Sequence, residues 1–160
     1  MSALVLVAAL CGGGMVAMAD APLLPAEQAF RLSARAIDDR TIEARFEVAD
    51  GYYLYRDKTA FFLEPKAVEM GTPVLPPGKA KEDAFFGKVD TWRGDVVLRL
   101  PLASSAATRS LVLVSDSQGC ADAGVCYPAF RQKITLAMPA AGAGPGAFVD
   151  AFPRKKRWFN

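Results

Sequence analysis

Thr41-Ile42-Glu43-Ala44-Arg45-Phe46-Glu47-Val48 alternates without a break: Ile42, Ala44, Phe46 and Val48 are apolar, Glu43, Arg45 and Glu47 charged. A period of two places one set on each face of an extended chain, so the stretch predicts a strand with one buried face. The same period recurs outward from it. Strands are predicted over residues 29–36, 52–55, 60–63, 95–102, 110–115 and 129–137, and in the last of these Phe130, Ile134 and Leu136 share one face while Arg131, Lys133 and Thr135 share the other. Turn signals punctuate the series at Asp50-Gly51, Pro76-Pro77-Gly78 and Arg93-Gly94-Asp95, and no segment beyond residue 19 carries a long helical stripe. Seven or more short strands with such turns predict an all-β fold, an antiparallel β-sandwich of immunoglobulin-like arrangement.

The remaining stretches fill in the organisation. Met1 to Ala19 carries no charged side chain, has an apolar run over residues 3–10 and ends on Ala17-Met18-Ala19, the small-x-small pattern of a secretory signal. No Lys or Arg precedes the run, which departs from the usual signal. Cys11 falls inside this segment and is set aside from the chemistry. One domain is expected over residues 20–138, with a long loop at 71–88 that has Phe85 and Phe86 at its tip. An Ala/Gly/Pro linker and a basic tail are expected over residues 139–160. The tail's Arg154-Lys155-Lys156-Arg157-Trp158-Phe159 suits either the approach to a membrane segment or a solvated end.

Composition removes several function classes. Of 160 residues, 52% are hydrophobic and 22% charged, the balance of a folded globular protein. The charges are 19 Lys+Arg against 17 Asp+Glu; setting aside the four basic residues of the tail leaves 15 against 17, a net of −2. A near-neutral body offers no electrostatic footprint for nucleic acid. There is no histidine, which removes Ser-His-Asp and Cys-His nucleophile pairs and imidazole acid–base chemistry. Zinc is disfavoured as well, because two thiolates without histidine leave a tetrahedral site two ligands short.

What chemistry remains concentrates in Gln118-Gly119-Cys120-Ala121-Asp122-Ala123-Gly124-Val125-Cys126-Tyr127-Pro128. Two cysteines five residues apart between strands can face each other across a hairpin end, with Gly119 and Gly124 supplying tight backbone geometry. In an exported protein they can form a bridge. Closing so short a loop constrains the unfolded chain by only about 2.4 kcal/mol, a poor staple for a domain large enough to hold its own core. On spacing alone, a redox-active pair and a local structural bridge both stand.

Three separated motifs resemble one family: Asp50-Gly51-Tyr52-Tyr53-Leu54-Tyr55-Arg56, Glu82-Asp83-Ala84-Phe85-Phe86-Gly87-Lys88 and the cysteine segment above. In order and spacing they are similar to the N-terminal domain of the thiol:disulfide interchange protein DsbD family, over roughly residues 25–138. The resemblance implies an immunoglobulin-like domain in the periplasm, tethered to the inner membrane through a membrane domain that follows it. It implies a thiol-disulfide oxidoreductase that accepts electrons from a thioredoxin-like donor domain. The electrons would pass to periplasmic thioredoxin-like acceptors, the disulfide isomerases and the proteins of cytochrome c maturation.

No cofactor is implied beyond a reversible Cys120-Cys126 disulfide. Cys126 would form the mixed disulfides and Cys120 would resolve them. The family's aromatic cap maps onto Phe85, with Phe86 beside it, and its Tyr53 and Tyr55 positions lie next to the cysteines. Asp83 matches an acidic position of the cap segment, whereas the next position, often acidic in the family, is Ala84; Ser117 stands where an aromatic is common. Asp83 and Asp122 are the nearest recognisable charges, and as carboxylates they are expected to oppose thiolate formation unless they accept its proton. The competing reading is a non-catalytic β-sandwich binding module with an inert local disulfide.

Overall fold

A computed structural model describes residues 22–105 and 108–153. The expected signal at residues 1–19, Cys11 and the basic cluster at residues 154–157 lie outside the described residues. The chain enters through a short helical turn, Ala26–Ala29, has one 3-10 turn at Arg56–Lys58 among the described residues, and is otherwise built on antiparallel strands. The first four are β1 (Phe30–Ala36), β2 (Thr41–Val48), β3 (Tyr52–Tyr55) and β4 (Ala60–Glu64). They are followed by β5 (Lys79–Asp83), β6 (Gly87–Trp92), β7 (Gly94–Pro101) and β8 (Ser110–Ser117), then β9 (Gly119–Ala121), β10 (Phe130–Ala137) and β11 (Val149–Asp150). One sheet runs β11-β1-β2-β7, a second β10-β8-β4 and a third β5-β6-β3-β9. The architecture is an immunoglobulin-like antiparallel sandwich.

The deciding octapeptide behaves as its alternation requires. Ile42, Ala44, Phe46 and Val48 are buried and every residue between them is partly exposed. β2 pairs with β1 on one side over Ile42 to Val48 and with β7 on the other along its full length. Its apolar face joins Leu32, Ala34, Leu98 and Leu100 of its own sheet and Leu63, Leu111, Leu113, Ile134 and Leu136 of the second sheet in one core. Phe46 reaches Phe61 of β4 with ring centroids 6.3 Å apart, and Phe30 packs against Phe130 of β10 at 5.7 Å. Gln132 also faces inward, buried between Phe130 and Ile134, and its amide Nε2 donates to the Phe30 carbonyl at 3.1 Å.

The chain departs from the sequence expectation in two places. The loop expected at residues 71–88 is in part the β5–β6 hairpin, with Phe85 and Phe86 in its three-residue tip. β5 reads Lys-Ala-Lys-Glu-Asp and buries only Asp83, so a strand held by backbone pairing at a sheet edge leaves no apolar period to detect. Likewise the segment after Met138 returns to the domain rather than leaving it. Val149 and Asp150 pair with Ala34 and Ser33 of β1, and Phe148 lies beneath the Arg35 and Arg45 guanidinium groups at 4.5 and 5.0 Å. Two paired residues and one cation-covered ring carry no pattern that a hydrophobic period would reveal.

β3 positions the chemistry. All four of its residues are buried, because the third sheet is covered on both faces. Tyr52 and Leu54 enter the main core, whereas Tyr53 and Tyr55 point the other way into a second, small cluster with Cys120.

Candidate functional site

Cys120 sits on the three-residue strand β9, directly opposite Tyr53 of β3. This pairing requires glycine at position 119: a Cβ there would lie 2.4 Å from the Tyr53 carbonyl oxygen and 2.7 Å from the Phe30 ring. The chain then reverses. Ala121 N–H donates to Val125 O at 2.8 Å, Gly124 N–H to Ala121 O at 3.0 Å, and Gly124 takes φ of +84°, which favours glycine. The reversal brings Cys126 back opposite Cys120, with Cα atoms 4.0 Å apart and the sulfurs bonded.

The two sulfurs differ in access. Cys120 is fully buried at 0% exposure, whereas Cys126 is partly exposed. Cys126 lines a cleft of about 200 Å³ together with Tyr53, Lys81, Asp83, Phe85 and Asp122. A larger groove of about 610 Å³ runs along β4 and contains none of these residues. Disulfide exchange needs an approachable sulfur rather than a deep cavity, so the smaller cleft is the relevant one.

Behind the sulfurs lies a connected set of polar groups. The Tyr55 and Tyr53 hydroxyls both donate to Asp83 Oδ2, at 2.7 and 3.0 Å. The Tyr55 oxygen also lies 3.0 Å from Cys120 Sγ and 3.7 Å from Cys126 Sγ, so one phenol touches both sulfurs while its proton is given to the carboxylate. Asp83 Oδ1 accepts the backbone N–H groups of Phe85 and Phe86 at 2.9 and 3.1 Å. The carboxylate at the end of β5 therefore folds the hairpin tip around itself and ties it to the tyrosines. Burial acts to raise the Asp83 carboxyl, but the bonds from Tyr55, Phe85, Tyr53 and Phe86 outweigh it and hold the group below the usual carboxylate range. Burial first, and the bond to Asp83 second, push both phenols above ordinary tyrosine, Tyr55 far above it, so they stay protonated as donors.

The two tip aromatics are held differently. Phe86 meets Tyr55 edge to face with centroids 5.2 Å apart, and Lys58 Nζ stands 3.7 Å over its ring. Phe85 is 67% exposed and reaches the Cys126 cleft. Asp122 lies between the cysteines, yet its charge is matched. Arg93, at the corner between β6 and β7, donates Nη2 to Asp122 Oδ1 at 2.6 Å and Nη1 to Oδ2 at 2.9 Å. The bonds from Arg93 hold the Asp122 carboxyl below its ordinary value. Neither carboxylate stands bare beside the sulfurs: Asp83 is satisfied by four neutral donors and keeps its charge, and Asp122 is paired with a guanidinium.

All eight residues singled out in the sequence converge here, in the cleft and the Tyr53/Tyr55 cluster. Arg93, Lys58 and Lys81 were missed. Arg93 served only as part of a turn signal, and its carboxylate partner is 29 residues away, beyond any local pattern. Among the described residues, no group of three or more His, Cys, Asp or Glu side chains is placed to hold a metal ion.

Residues 20–138 match the family described as thiol:disulfide interchange protein DsbD, N-terminal. The chain is 45% identical over 125 residues to the thiol:disulfide interchange protein DsbD of Ralstonia nicotianae, an alignment covering 78% of this chain and 20% of that protein. It therefore spans about a fifth of the length of that curated relative. Among solved structures it is similar to the reduced N-terminal domain of Neisseria meningitidis DsbD, with TM-score 0.65, 34% identity and coverage of 78% of this chain and 94% of that one. A second similar structure is the complex between the DsbD N-terminal and PilB N-terminal domains of the same organism, with TM-score 0.60, 35% identity and coverage of 71% and 86%.

Proposed function

The chain belongs to the family of DsbD N-terminal domains, and from that membership we propose that it is a periplasmic thiol-disulfide oxidoreductase domain carrying electrons between protein partners through the Cys120-Cys126 pair. The observation that carries this reading is the asymmetry of the bridge, one sulfur sealed at 0% exposure and the other open to a cleft. A bridge serving only as a staple has no need of an approachable sulfur.

The steps follow from that access. A thiolate of a reduced thioredoxin-like donor attacks Cys126 Sγ, the Cys120–Cys126 bond breaks, and Cys120 leaves with the electron pair and takes up a proton. The donor's second thiolate then attacks the mixed disulfide and frees Cys126. Two electrons and two protons have moved from donor to this domain, and the reverse sequence delivers them to an acceptor, with Cys126 attacking and Cys120 resolving. Tyr55, within reach of both sulfurs, is placed to accept a hydrogen bond from the Cys120 thiol as it forms. Phe85 and Phe86 serve as a lid that a partner displaces and small thiols do not, with Asp83, Tyr53 and Tyr55 holding the lid's base and Asp122 lining the cleft.

The complex of a similar domain with the PilB N-terminal domain supports a protein partner of this kind. The acceptors are periplasmic thioredoxin-like proteins, disulfide isomerases and cytochrome c maturation proteins among them. A membrane domain C-terminal to this segment tethers it to the inner membrane, as the greater length of the relatives suggests.

Trapping with a thioredoxin-like partner tests the roles. C120S is expected to accumulate a mixed disulfide through Cys126, and C126S to form none; equal trapping by both overturns the assigned order. The reduction potential tests the class. A value of about −200 to −270 mV, reached quickly with the protein partner, fits a carrier, whereas a value below about −300 mV without exchange returns the inert binding module.

A further inference from the structure

Arg93 makes more contacts around the disulfide than any function so far assigned to it explains. It holds Asp122 with two parallel bonds, donates Nη1 to the Tyr52 carbonyl at 3.1 Å, and lays its guanidinium 5.0 Å from the centre of the Tyr53 ring. Its partners are thus the loop between the cysteines and two consecutive residues of β3, the strand opposite Cys120. Arg93 stands at the corner where β6 passes into β7, a position fixed by the full β2–β7 ladder ending at Val48 and Gly94. A planar fork anchored on rigid strands can fix a carboxylate in both distance and orientation, which a lysine cannot.

We propose that Arg93 is a positioning residue for disulfide exchange, clamping the 120–126 loop through Asp122 onto β3 and cancelling the carboxylate charge that shares the cleft with Cys126. The proposal deepens the electron-carrier reading and rests on it.

The other charges facing the cleft do not duplicate this role. Lys81 of β5 lines the same cleft, with Nζ 5.0 Å from the Tyr53 ring centre, and acts on Asp122 only as a longer-range charge without an ion pair, and Lys58 is engaged with Phe86. Asp83 is saturated by its four donors, Tyr53 and Tyr55 are protonated, and Glu82 lines the cleft on β5. Among the described residues Arg93 is the cation within ion-pair distance of Asp122. Without it the carboxylate keeps only the longer-range attraction of Lys81, so more of its charge opposes the Cys126 thiolate, and the loop loses its tie to β3.

The test uses the reduced protein and two readouts, the pH midpoint of iodoacetamide alkylation localised to Cys126 by mass spectrometry and the rate of exchange with a thioredoxin-like partner. R93Q is expected to move the midpoint upward and to slow exchange about 3- to 10-fold, the size of a partly screened charge–charge term. R93K keeps the charge without the fork, so its midpoint stays near that of the parent while exchange is slowed. R93Q/D122N removes the carboxylate as well and is expected to bring the midpoint back. An unchanged midpoint in folded R93Q, or an equal upward shift in R93Q and R93Q/D122N, overturns the proposal. Should R93Q fail to fold, R93K decides: exchange at the parent rate overturns the clamp. Failure of the carrier reading looks different, because the parent protein itself would then not exchange with the partner, whatever the alkylation midpoints.

Discussion

Asp83 has an unusual combination of burial and charge: it is 7% exposed, lies behind a disulfide and is held by two phenols and two backbone N–H groups. Because its folded pKa is depressed, its stabilising contribution is fully present above the ordinary carboxylate value and is lost as pH falls through the folded one. D83N is expected to cost about 1–3 kcal/mol at neutral pH, since an amide cannot accept from all four donors, and to flatten the loss of stability below about pH 4. Urea unfolding of parent and variant across pH 3–7 checks both; parallel acid limbs would show that Asp83 does not set them. The sequence marked Asp83 by its place in a motif but not its partners, because hydrogen-bond saturation depends on a fold that brings residues 53, 55 and 83 together.

Two elements govern how the sulfurs are presented. β9 is three residues long and exists only because Gly119 lets the Tyr53 backbone and the Phe30 ring approach it. G119A is therefore expected to displace β9 and destabilise the domain by roughly 1–3 kcal/mol, as overpacked sites do, with faster reduction of the bridge by dithiothreitol because Cys120 loses its seal. Thermal unfolding together with a reduction time course reads both effects. The β5–β6 hairpin is the second element, and Phe86 fixes its tip through Tyr55 and Lys58. F86A is expected to lose roughly 1–2 kcal/mol, from one aromatic pair and one exposed cation–π contact, and to raise small-thiol reactivity several-fold. If reactivity with glutathione stays at the parent rate, Phe86 does not hold the lid. In the sequence this hairpin was hidden inside an expected loop, since an edge strand reading Lys-Ala-Lys-Glu-Asp shows no apolar face.

At the scale of the molecule, the segment after Met138 closes the first sheet. β11 covers the edge of β1, with Gly146 N–H donating to Ala36 O and Ala151 N–H to Leu32 O, both at 2.9 Å. Residues 20–138 alone would leave that edge bare. Relative to residues 20–153, the shorter chain is expected to melt several degrees lower, for a loss of about 1–3 kcal/mol, and to self-associate with concentration. Calorimetry and sedimentation of the two chains decide, and identical melting with no association would show that β11 is dispensable.

The sequence by itself determined the class of fold, because the alternation in residues such as Ile42, Ala44, Phe46 and Val48 is a local consequence of burying one face of a strand. It also determined the chemistry, since a chain with no histidine and two near cysteines has few reactions open to it, and three motifs narrowed them to one family. Only the tertiary structure decided which sulfur is exposed, that Asp83 is shared by two tyrosines and the hairpin tip, and that Arg93 answers Asp122 across 29 residues. Period and composition are written along the chain. Access to a sulfur, and the pairing of one charge with another, are set by which distant strands become neighbours.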